Sequence, residues 1–160
     1  MLASKRFVWL TVTFLLVMIA VIACGAPAGP SIQAENAWAR PALAVATSGG
    51  AGHGTVSTGA VFMLLKNEGR EADRLVGGRT DVAQVVEIHE TVMENDVMKM
   101  QMLADGLEIP AGGEVLLKSG SYHVMLIGMV RDLAAGDTFT LELEFEKSGP
   151  LTVEVTVREM

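Results

Sequence analysis

A single cysteine, Cys24, serves all 160 residues. No intramolecular disulfide can form, and the covalent staple of many small exported domains is absent. Charge is also scarce: 19% of residues are charged, with 12 Lys and Arg against 19 Asp and Glu, for a formal charge of −7. Nucleic acid is held by clustered cations that neutralise phosphates, so that class of partner is excluded. Disorder is excluded by the opposite abundance, since 50% of residues are hydrophobic, and 17 glycines and 5 prolines interrupt any long coiled coil. The chain length suits one domain that draws its stability from packing.

The apolar excess is concentrated at the start. Lys5 and Arg6 precede seventeen uncharged residues, the order of a secretory n-region and h-region. A retained transmembrane anchor is the competing reading, because the run is near the lower length for spanning a bilayer. The segment ends in Val21-Ile22-Ala23-Cys24-Gly25, which resembles a bacterial lipoprotein box with a small residue before the cysteine. The expectation is a signal over 1–23, lipid on Cys24, a Gly-, Ala- and Pro-rich tether over 24–31, and a folded domain over 32–160.

Within that domain the period is two. Phe139, Leu141, Leu143 and Phe145 alternate with Thr and Glu, a turn follows at 146–150, and Leu151, Val153, Val155 and Val157 alternate again. Further strands are expected at 33–39, 59–67, 73–77, 85–91, 97–103, 114–118 and 122–127, separated by Gly-rich turns. About nine short strands without a trustworthy helix predict an all-β, antiparallel sandwich. The Gly- and Ser-rich stretch over 47–57 is expected to be a loop.

Methionine is over-represented, at ten residues. Methionine often fills core gaps, but Met93, Met98, Met100, Met102, Met125 and Met129 crowd into one stretch with two of the three histidines. On a strand, His123 and Met125 share a face while Val124 points to the core. A turn at Glu94-Asn95-Asp96 would fold His89 back nearly opposite Met100 or Gln101, on a neighbouring strand about 5 Å away. Spacing alone leaves open whether the two pairs share a face. Imidazole and thioether together suit a soft ion such as Cu(I), and suit Ca²⁺, Mg²⁺ or Mn²⁺ poorly. Zinc more usually takes thiolate or carboxylate, and a blue-copper site needs a cysteine beside its histidines.

The spacing His89, ten residues, Met100, twenty-two residues, His123-Val124-Met125 resembles that of the periplasmic copper chaperones called PCu(A)C. Asn36-Ala37-Trp38-Ala39-Arg40-Pro41, the run from Gly106 to Gly113, and Tyr122-His123-Val124-Met125-Leu126 extend the likeness from about Ile32 to Glu159. Ser119 and Ser121 stand where that family often has Pro and Gly, and Asp96 where it often has Gly. The resemblance implies a cupredoxin-like sandwich without the cupredoxin cysteine, binding Cu(I) through His89, Met100, His123 and Met125. It further implies a non-enzymatic, periplasmic or outer-face protein that delivers Cu(I) to the binuclear copper centre of cytochrome c oxidase subunit II, alongside a Sco-type thiol protein.

Competing assignments are explicit. Copper storage or scavenging would use the same ligands without transfer, and a structural surface lipoprotein would need only the sandwich. A histidine-brace oxygenase needs histidine at the mature terminus and is opposed because the expected terminus is Cys24 or the uncleaved Met1. His53 and Met93 are candidate auxiliary ligands, set against a solvated loop histidine and a packing methionine. Met98 and Met102 share Met100's parity and are either a sulfur-rich surround or core filling. Trp38 is expected to pack, and Asp132 with Asp137 to be solvated charge flanking a turn.

Overall fold

The computed structural model describes residues 27–44 and 57–159. The signal segment, Cys24 and His53 lie outside the described residues. Ten strands run in chain order: β1 Ile32–Ala39, β2 Thr58–Asn67, β3 Asp73–Thr80, β4 Ala83–Glu94, β5 Val97–Met102, β6 Leu107–Ile109, β7 Glu114–Leu117, β8 His123–Met129, β9 Thr138–Phe145 and β10 Gly149–Val157. The all-β reading holds. The short β6, buried at Leu107 and Ile109, is the strand that the period-two pattern passes over, because three residues give too little alternation to see.

The hydrogen-bonded order is β5-β4-β8-β2-β1-β10-β9-β3-β6, with β7 also on β2. One pairing corrects the purely antiparallel expectation: β1 and β10 run parallel at Trp38–Thr156 and Ala39–Val157. A bulge between Glu35 and Trp38, with Asn36 at φ 53°, precedes that contact. Asn tolerates the left-handed region better than most side chains, and the extra residue re-aims the strand. β1 stays paired with β2 on both sides of the bulge and meets β10 along its other edge, and so joins the two halves of the sheet.

Alternation decides the core. Val61, Leu65, Ile88, Val124 and Leu126 from one half meet Leu75, Phe139, Leu141, Leu143 and Val155 from the other in one buried cluster. Val153 is only half-buried, packed against that cluster and not inside it. Two buried polar side chains tie turns to this frame. Asn67 Oδ1 accepts from the Ser31 and Gly69 N–H groups, and its Nδ2 donates to the Glu71 and Ile109 carbonyls. Asp73 accepts from the N–H groups of Arg74, Lys147 and Ser148 and from Ser148 Oγ, so it organises the β9–β10 turn. Burial alone would raise the Asp73 pKa, but these hydrogen bonds outweigh it and hold the carboxyl below its ordinary value.

Candidate metal centre

The site is built on the outer face of the β5-β4-β8-β2 half. The β4–β5 hairpin closes through Asn95 at φ 52° and Asp96 at φ 60°, a two-residue loop with both residues left-handed, whose twist matches the strands it joins. Its register pairs Glu94 with Val97, Met93 with Met98, Thr91 with Met100 and His89 with Met102. This corrects the expected partner of His89, which is Met102, with Met100 two pairs along on the same face. The difference arises because the turn has two residues where three were read. A register centred on Asn95 would have put Gln101 opposite His89 and sent every β5 methionine to the other face, since a one-residue slip reverses the alternation.

On the other side of β4, β8 pairs His123 with His89 and Met125 with Glu87. Direct partners share a face, so His89, Met100, His123 and Met125 lie on one face, as do Met93, Met98 and Met102. Met100, His123 and Met125 line a cleft with Arg40, Thr58 and Ala60. The His89 and His123 rings are 5.9 Å apart between centroids. Met129 has the same parity but is carried into the core past Gly128, at φ 69°. Core filling thus accounts for Met129 and not for Met98 or Met102, which are more than half exposed.

Hydrogen bonds fix which nitrogen of each histidine is available. His123 Nδ1 is 3.1 Å from the Ser121 carbonyl. A carbonyl only accepts, so Nδ1 carries the proton and Nε2 keeps its lone pair. His89 Nε2 is 2.8 Å from Glu87 Oε2. The carboxylate likewise accepts, which leaves Nδ1 as the lone-pair nitrogen of neutral His89. That Nδ1 is buried and has no hydrogen-bond partner. A buried polar atom without a partner calls for an explanation, and a bound metal ion would supply one.

Burial is the main reason that His123, 5% exposed, has a pKa below its ordinary value. The Ser121 hydrogen bond works against that shift, whereas His89 and Arg40 add to it. A neutral imidazole is the ligating form. The wall behind it is aromatic: Phe62 stands 6.4 Å from His123 and 4.8 Å from Trp38. Arg40 lies 5.3 Å over Phe62 and donates from Nη2 to Ser119 Oγ, while Arg158 covers Trp38. Trp38 packs as expected, but on the site's face and not in the core.

Sequence reasoning missed Glu87, Phe62, Ser121 and the role of Arg40. Glu87 was legible, because it stands two residues before His89 and so shares its face. Arg40 lay within a quoted motif, but its reach to Ser119 is a tertiary fact. Among the described residues no three His, Cys, Asp or Glu side chains gather as a metal site.

A family model described as "Putative lipoprotein LpqE-like" matches residues 32–157. The chain belongs to the LpqE-like family. It is 32% identical over 128 residues to the "Putative lipoprotein Lxx21020" of Leifsonia xyli subsp. xyli, covering 80% of this chain and 70% of that relative. The solution structure of Cu(I)-DR1885 from Deinococcus radiodurans is 27% identical, with a TM-score of 0.57 over 89% of this chain and 85% of that one. The copper-bound PCuAC domain from PmoF2 is 22% identical, with a TM-score of 0.59 over 81% and 93% of the two chains, a likeness of fold. The PCu(A)C resemblance and the β-sandwich read from the sequence are both borne out.

Proposed function

We propose that this protein is an exported Cu(I) carrier, held to the outer face of the cytoplasmic membrane by lipid on Cys24. It takes Cu(I) through His89 Nδ1, Met100 Sδ, His123 Nε2 and Met125 Sδ and gives it to a thiol-bearing acceptor. The observation that carries this reading is the pair of imidazoles, each fixed by an acceptor on one nitrogen so that the other keeps a lone pair, on a face shared with two thioethers. The Cu(I)-bound DR1885 structure supports the same ion, and the lipoprotein names of the family and of its Leifsonia relative support the anchor.

The ligand set is neutral and soft, which favours Cu(I) over harder ions. Met100 is 64% exposed on the edge strand β5. An acceptor thiolate therefore has an open side from which to displace a thioether, and the ion moves by ligand exchange without changing oxidation state. Delivery to the binuclear centre of cytochrome c oxidase subunit II, with a Sco-type thiol protein as co-worker, is the destination we assign. It is a carrier's role and requires no catalytic group.

Anaerobic titration of the full chain in detergent, against a competing Cu(I) chelator, tests the site. Met100→Leu or Met125→Leu should weaken binding and preserve its decline in acid, because thioethers bind no proton, while replacing either histidine should weaken binding and flatten that decline. X-ray absorption showing only nitrogen or oxygen around copper would overturn the assignment. Transfer to the isolated copper domain of subunit II separates a carrier from a storage protein, which would retain the ion. Cys24→Ala should release the chain from membranes or leave it as an unprocessed precursor.

A further inference from the structure

We propose that Met93 and Met98, beside the β4–β5 turn, form a second site for a soft monovalent ion, Cu(I), adjoining Met100. The two residues are direct register partners, which places their Cβ atoms about 5 Å apart on one face. Metal–sulfur bonds of roughly 2.3 Å require two sulfurs within about 4.6 Å, a span that two unbranched side chains with three rotatable bonds each can close. Met93 is 65% exposed and Met98 61% exposed, and neither belongs to the core or to the partly buried residues packed on it. Packing therefore does not account for methionine at either position.

The surroundings suit an ion that prefers sulfur. Glu94 and Lys99 pair with each other and fall by parity on the opposite face. The Met98 methyl lies 3.7 Å from the position a Cβ would take on Gly120. Met98 thus leans over the loop whose next residue, Ser121, orients His123. Met100 is two residues from Met98 on the same face, about 6.6 Å along the strand. An ion held by Met93 and Met98 can reach the four-ligand site by exchanging one thioether for another at Met100, staying Cu(I) throughout. The pair would receive copper at the exposed tip of the hairpin and pass it inward. That passage rests on the four-ligand reading, whereas the second site itself does not.

The test follows methionine methyl resonances of the full chain in detergent micelles, labelled at Cε, during anaerobic titration with Cu(I). The first equivalent should move the Met100 and Met125 methyls, and the second should move those of Met93 and Met98. In the M93L/M98L double variant the second equivalent should bind at least about tenfold more weakly, and the first should change by less than about twofold, because neither residue is among the four ligands of the first site. Leucine is close in volume and both positions are exposed, so the fold is retained. Saturation with Met93 and Met98 unmoved, or an unchanged second equivalent in the double variant, would overturn the proposal. Shifts at Met93 and Met98 with Met100 and Met125 unmoved would support the second site and overturn the four-ligand one.

Discussion

Removing the Glu87 carboxylate should weaken copper binding without unfolding the protein. Glu87 Oε2 accepts the His89 Nε2–H at 2.8 Å, with side-chain exposures of 30% and 12%. A hydrogen bond to a charged group contributes roughly 1.5–3 kcal/mol in protein interiors. Partial solvent access to Glu87 moves the expectation to the lower half of that range, about 2 kcal/mol. If that contribution is expressed in the bound state, Glu87→Ala should raise the Cu(I) dissociation constant about 30-fold, since 1.4 kcal/mol is tenfold. This lies within the 10–100-fold typical of partners that orient metal-binding histidines. Glu87→Gln, which can still accept through its amide oxygen, should lose less. The assay is chelator competition at pH 7.5, with thermal unfolding of the copper-free chain as a control for folding. Nitrogen-15 spectra of the histidines give the tautomer directly, and Nε2–H is expected at His89. An unchanged affinity in Glu87→Ala, or copper bound at His89 Nε2, would refute the reasoning.

Three further outcomes are expected. Asp96→Gly should stabilise the chain by about 1 kcal/mol in chemical unfolding, because glycine adopts the left-handed second position of the turn without the cost borne by a side chain. Asp73→Ala leaves the donors of the β9–β10 turn without their acceptor and should cost about 3 kcal/mol, on the order of 10 °C in thermal unfolding. In the copper-free protein the depressed His123 pKa makes neutral His123 the stabilising form. That contribution is complete above the ordinary imidazole pKa of 6.5 and is lost as pH falls from there through the lower folded value. Unfolding measured between pH 8 and pH 5 should show this loss, and His123→Gln should remove it.

The strands of the C-terminal hairpin follow from sequence alone, because Phe139, Leu141, Leu143 and Phe145 repeat with the period of a half-buried strand and all four are buried. Chain alternation likewise sets His123 and Met125 on one face and Val124 on the other, and the composition of the donors selects a soft ion. Long-range geometry decides the rest. Which methionine faces His89 depends on whether the turn has two residues or three, a matter of the backbone angles at Asn95 and Asp96. The parallel contact between β1 and β10 depends on the bulge at Asn36, and no periodicity in either strand encodes its partner. The free nitrogen of each imidazole is set by Glu87 and by the Ser121 carbonyl, and Arg40 reaches Ser119 across 79 residues of chain. Period reports only which side of its own strand a residue occupies. Register, pairing and hydrogen-bond partners arise when separate strands bury their apolar faces together, and that is what brings four side chains distant in sequence onto one face.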